Sequence, residues 1–233
     1  MRLRSQDDPV KRLQLSTVAG PSHLEKVLGD IFGTEQTANM CVVFRAFFWL
    51  AYAGIPYSDA WYVVAGDLNF AKRVITRHDR EYVMYPQAIE PLWAAAITPA
   101  FVDVRGSHCP RREGYALLRT VARGTHRYDS PETANKVVTR EALSRYLKGH
   151  GNGYALSYSS VLTSGIYHRI YQQEKANLGE PDFYELVQHR LDSWYLKTDQ
   201  DPGRADRSYI NLEVHRLAEE YDVWKEIHRD ILE

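Results

Sequence analysis

Apolar residues recur along this chain mostly at spacings of three and four, so the elements they predict are mainly helices. In PSHLEKVLGDIFG, Leu24, Val27, Leu28 and Ile31 form one stripe, with Ser22 suited to cap the first turn and Glu25 as its capping-box partner. EQTANMCVVFRAFFWLAYAG is apolar almost all round and stops at Gly54, which predicts a helix in the middle of the fold. LNFAKRVITRHDREYV and REGYALLRTVARG read as further helices, PQAIEPLWAAAI as one opened by Pro86, and THRYDSPETANKVV as one with Ser130 as cap and Pro131 first. TREALSRYLK, IYHRIYQQEKANLG and PDFYELVQHRLDSWYLKT follow, then a loop at DQDPGRADRS and a closing helix carrying Leu217, Tyr221, Trp224, Ile227 and Ile231. AWYVVAG fits either a buried strand or a helical turn, AFVDVRG a second strand, and RGSHCPRR a basic loop. The expectation is a mainly α, two-lobed helical domain with at most a small early β element. It spans residues 16–233, with lobes at 16–104 and 105–233, behind a mobile arm at 1–15.

Composition agrees with a folded chain: of 233 residues 44% are apolar and 25% charged, with 16 Tyr and 5 Trp, which excludes a disordered protein. Two cysteines are too few for a disulfide framework and the N-terminal residues lack a signal-peptide core, so a cytoplasmic location is expected. The most apolar stretch is broken by Arg45, Gly54, Pro56 and Asp59, which argues against a membrane span. Net charge is -1, but it is unevenly spread. Residues 104–180 carry 12 basic and 6 acidic side chains, whereas 181–233 carry 7 and 13. A local basic face for a polyanion would have this asymmetry, and so would an acidic tail docked on a basic middle.

Within the basic third lies LKGHGNGYA, residues 147–155. Alternate glycines permit a tight reversal and remove the Cβ atoms that keep another backbone away, and amides at a helix start hold phosphate without reading a base. Lys148, Gly149, His150, Gly151, Asn152 and Gly153, with Arg145, Arg111 and Arg112 nearby, are the candidate DNA contacts.

Leu147, Gly149, Gly151 and Ala155 resemble the helix-hairpin-helix of DNA glycosylases, with Lys148 where proline is usual and His150 where an apolar residue is. The resemblance implies a mostly helical enzyme that draws a base into a cleft. Gly153 occupies the offset of the lysine that bifunctional members use, which implies no lyase activity. Members keep an aspartate about twenty residues past the hairpin. The nearest acids here are Glu174 and Asp182, with Tyr171 at the usual spot. GIPYSDAW and LNFAKRVITRHDRE also resemble the early region of phage enzymes that complete hypermodified thymines, with Asp59, Asn69, Arg73 and Asp79 at the matching positions. Asp59 is thus a third candidate acid, although its place in the turn fits an N-cap or turn role better.

Two alternatives stand beside this reading. A non-catalytic DNA-binding module needs only the hairpin. A cysteine hydrolase or transferase, by similarity to transglutaminase-like and papain-like enzymes, would use Cys41 with His78 and Asp103, against which Cys41 also fits a plain core residue. His108 and Cys109 have no second ligand pair, a Walker-type loop is missing, and His215 and His228 read as surface or packing residues, so no metal or cofactor is expected.

Overall fold

The computed structural model describes residues 9–33, 40–103, 105–122, 128–150, 153–198 and 207–232. Among them the helices are α1 (Pro9–Ser16), α2 (Pro21–Phe32), α3 (Cys41–Ala53), α4 (Tyr57–Ala60), α5 (Pro86–Ile97), α6 (Pro131–His150), α7 (Tyr158–Lys175), α8 (Tyr184–Thr198) and α9 (Arg207–Ile227). The strands are β1 (Leu68–Asn69), β2 (Val74–Arg77) and β3 (Arg80–Val83), which form an antiparallel meander, and β4 (Ala100–Val102) paired with β5 (His108–Pro110). The mainly α expectation holds, with two small β elements.

α3 is the centre. Its residues are buried all round except Arg45, which reaches out to the Gly33 carbonyl just past α2. α5 and α7 pack against α3, and the α7 contact is so close that a Cβ on Gly165 would lie 2.0 Å from the Tyr52 carbonyl oxygen. Glycine is what lets the two backbones meet. Opposite, α9 lays Leu217, Tyr221 and Trp224 on Tyr167 of α7, and the Trp224 indole donates to the Val18 carbonyl at 3.1 Å.

Four expectations need correction. Residues 68–83 form the β1–β3 meander, not a helix: β-branched Val74, Ile75 and Thr76 favour a strand. His78 and Asp79, with φ of 47° and 60°, form the two-residue reversal between the paired Arg77 and Arg80. Residues 113–122 are also not helical. Leu117, Leu118 and Thr120 are all buried, and the segment is held by Leu117 N–H to Val63 O at 2.7 Å and by a bridge from Arg111 to Val121. The second half of the expected arm is α1, whose Leu15 carbonyl accepts the Ala155 N–H at 2.8 Å. α2 starts at Pro21 behind Gly20, so Ser22 lies inside the first turn and gives no cap. Of the loop expected at 199–208, residues 199–206 lie outside the described residues, and Arg207 and Ser208 already belong to α9.

Candidate nucleic-acid interface and its acidic corner

α6 begins as its sequence predicts, with Ser130 Oγ accepting the Thr133 N–H at 3.1 Å and Pro131 first in the helix. Ala134, Asn135, Thr139 and Leu143 are buried on one side, where Asn135 Oδ1 accepts the Thr120 N–H at 3.0 Å. The exposed side carries Lys136, Arg140, Glu141, Ser144, Arg145 and Lys148. Four cations and one acid therefore share a face about 18 Å long, at 1.5 Å per residue. Arg140, Glu141, Ser144 and Arg145 line a shallow open groove of about 500 Å³.

The Gly-rich run is laid out differently from the resembled hairpin. α6 continues through Leu147, Lys148 and Gly149 and ends at His150. Gly151 and Asn152 lie outside the described residues. Gly153 takes a left-handed φ of 86°, and Ala155 and Leu156 belong to a connector that is neither helix nor strand, with Ser157 as the true cap of α7. The Ser157 side chain accepts from Ser160 N–H at 3.0 Å, so part of the amide set expected to face a phosphate is already satisfied.

Among the three candidate acids, the structure places Asp59 beside this surface. The Lys136 ammonium sits 5.4 Å from the centre of the Tyr57 ring, two residues from Asp59. Tyr57 packs at 5.3 Å on Tyr158, the first residue of α7, and at 5.6 Å on Trp61. Ser58 donates to Asp59 Oδ1 at 3.3 Å, and the His78 ring nitrogen lies 4.0 Å from Oδ2. Burial pushes the Tyr158 phenol well above its usual range, with the Asp59 carboxylate adding to the effect. Burial likewise raises Tyr82, where Arg80 opposes and Asp59 contributes. Burial raises Tyr57, against the Arg140 charge. The corner thus joins one carboxylate, one imidazole and three tyrosines to the first two cations of the α6 row.

The other expected residues are engaged elsewhere. Glu174 stands sixteen residues along α7 from Tyr158, about 24 Å, and accepts the Tyr221 hydroxyl at 2.7 Å and the Lys225 ammonium at 3.4 Å. Asp182 caps α8 by accepting the Tyr184 N–H at 2.8 Å. Arg111 is 6% exposed and donates to the carbonyls of Ala95 (2.5 Å), Thr98 (3.0 Å), Leu117 (2.7 Å) and Arg119 (3.3 Å). Burial, then the nearby Arg119, pulls its pKa down to about 9. It is a buried staple, which corrects its expected role as a DNA contact. Arg112 is half-buried beside it.

Cys41 opens α3 rather than lying within it, and is 2% exposed. The Tyr146 phenol is raised to about 12 by burial and by the Cys41 sulfur beside it. His78 stands at the β2–β3 reversal with Asp59, and Asp103 Oδ1 accepts the N–H groups of Arg105 and Ser107 in the β4–β5 turn. Each of the three proposed partners is thus engaged in its own local contact. Asn69 Oδ1 accepts the Lys72 N–H at 2.9 Å, and Arg73 has a φ of 54° in the same turn. His108 is exposed on β5, His215 is exposed beside Glu219, and His228 is buried against Thr17 and Trp224. Among the described residues no three His, Cys, Asp or Glu side chains gather as a metal site, and no helix is long and apolar enough to cross a membrane.

Sequence reasoning missed Lys136, Arg140, Tyr57, Tyr82 and Tyr158. The four-residue steps through Lys136, Arg140, Ser144 and Lys148 were visible as one helical face, but the tyrosines come together only through the fold. Comparison with known protein families, with curated proteins and with solved structures finds no match to the chain.

Proposed function

We propose that the chain binds DNA along the exposed face of α6 and is a glycosylase-like enzyme or base-modification factor without lyase activity, with Asp59 as its acid. The observation that carries this reading is the contact between the two halves: Lys136, on the cationic face, lies over Tyr57, two residues from Asp59. Phosphate contacts would fix the duplex on α6 without reading its sequence. Gly149, in the last turn of α6, extends the same surface toward the hairpin element of the reading. A base drawn out of the stack would meet Tyr57 and its tyrosine neighbours. Asp59 would take a proton from water as the water oxygen bonds to C1′ and the N-glycosidic bond breaks, the base leaving with its electron pair and then gaining a proton. The glycine at 153 leaves no amine there for strand cleavage.

The test is a salt titration of duplex binding. Wild type loses affinity with salt, and Lys136→Glu/Arg140→Glu reduces the log–log slope by about 2, close to 0.9 for each phosphate no longer neutralised. No DNA binding by wild type at low salt ends the reading. Asp59→Asn keeps the wild-type salt slope and loses base release from oligonucleotides carrying normal and modified bases. Binding by wild type without any base release favours the second reading, a non-catalytic DNA-binding module. The cysteine-enzyme alternative predicts thiol labelling at Cys41 far faster than an ordinary buried thiol.

A further inference from the structure

The segment that joins α1 to α2 is held by two histidines from distant parts of the chain. Thr17 Oγ1 donates to the Leu13 carbonyl at 2.7 Å. Toward His228 Nε2, 3.0 Å away, it can then only accept, so His228 carries its proton on Nε2. His23 of α2 accepts the Ala19 N–H on Nδ1 at 3.1 Å, which fixes its own proton on Nε2. The two rings meet edge to face with centres 5.6 Å apart. Trp224, packed on His228, donates to the Val18 carbonyl, and the Val18 N–H donates to Ser164 Oγ of α7 at 3.1 Å. α1 itself packs on α9.

These bonds require both rings to be neutral, and a second proton has no harmless place on either. On half-buried His23 it would land on Nδ1, set two N–H groups against each other and end the Ala19 bond. On His228 it would put a charge into a ring that is 2% exposed and faces His23. The surroundings offer little to offset such a charge. The end of α1 contributes the Thr17 hydroxyl, and α2 contributes the cation Lys26. α7 contributes His168, which stands beside Gly20 and bonds Gln172. On and just past α9, Lys225 and Arg229 are paired with Glu174, Asp222 and Glu226.

We propose that this junction is an acid-operated latch: a proton on His23, then one on His228, frees residues 17–19 and lets α1 leave α9 while α2 to α9 stay folded. The Leu15 carbonyl departs with α1, so the connector between α6 and α7 loses its tie at Ala155. The latch stands whether or not α6 binds DNA. Burial, then Lys26, lowers His23 from its ordinary 6.5, and burial, then His23, lowers His228 to about 4. The undocked form therefore binds more protons, so the latch is firm above about pH 6.5 and weakens as pH falls toward 4.

The test follows two resonances of the full chain from pH 7.5 to 4.5, far below its melting temperature: the Trp224 indole N–H and the Gly165 amide of the α3–α7 seam. In wild type the indole moves to the position of a solvated indole while Gly165 keeps its shift, as local opening requires. The opening constant rises by up to about tenfold per pH unit for each proton taken up. His23→Asn puts an amide oxygen where Nδ1 was, keeps the Ala19 bond, cannot be charged, and holds the indole in place to lower pH. With His228→Gln added, the transition leaves the range. His23 is half-buried, so its single variant keeps the fold and carries the test by itself. His168→Gln leaves the transition where wild type has it. An indole that stays in place down to pH 4.5, an indole released only together with Gly165, or a transition in His23→Asn equal to wild type overturns the proposal.

Discussion

Arg45, Arg169 and Arg111 each donate to carbonyls at the C-terminal end of a helix, serving α2, α3 and α5 in turn. A guanidinium suits that place because it fills several orphan acceptors and opposes the negative end of the dipole. Arg111→Met keeps a stem of similar bulk but strands the α5 carbonyls. It should lower stability by about 3 kcal/mol in chemical denaturation and leave the salt slope of DNA binding unchanged. Histidines set a second residue-scale property. His168 and His228 are both lowered to about 4, chiefly by burial, with Arg169 and His23 as the respective second causes. The unfolded chain takes up these protons near pH 6.5, so it binds more protons than the folded chain between about 6.5 and 4, and stability falls as pH drops through that window. Melting temperature measured from pH 7 to 4 should show this decline, and His168→Gln/His228→Gln should flatten it.

At the scale of elements, the α3–α7 seam depends on Gly165. Gly165→Ala puts a methyl into the Tyr52 carbonyl and should cost about 3 kcal/mol or more, since overpacking against backbone cannot be relieved by a rotamer change. A urea midpoint equal to wild type would mean that the helices are not this close. Elements whose own side chains settle their ends were legible in sequence: α3 from its unbroken apolar surface, α5 from Pro86, α6 from Ser130 and Pro131. The meander at 68–83 was not, because Lys72, Arg73, Arg77 and Arg80 read as the polar face of a helix while the reversal rests on His78 and Asp79, neither of them glycine. Leu117 and Leu118 in turn read as one helical stripe but are buried as neighbours in an irregular segment. The α6 face could be read from spacing. The corner at Asp59 could not, because its groups come from positions 57, 78, 82, 136 and 158, which only the fold brings together.

For the whole molecule, the question raised by charge was where the surplus in residues 104–180 goes. Arg111, Arg119 and Arg169 spend theirs on helix ends inside the fold. The acids of α9 are met largely within the tail, Glu213 and Glu220 by Arg190 at 3.1 and 2.7 Å and again by Arg216. Among the described residues, docking of the acidic tail on the basic middle is thus limited in the main to Arg169 with Glu185, and the α6 cations stay exposed. A net charge of -1 does not oppose a polyanionic partner when the cations lie on one helix face and the acids are engaged elsewhere.

The bond from Ala155 N–H to the Leu15 carbonyl ties the connector after the glycines to the first helix. The Ala155 amide should therefore exchange its hydrogen slowly although it belongs to no helix or strand. Deletion of residues 1–16 should release it and make the chain newly open to a protease between α6 and α7. The exchange rate of that single amide then becomes a clock for undocking of α1, and DNA that settles the end of α6 should slow it.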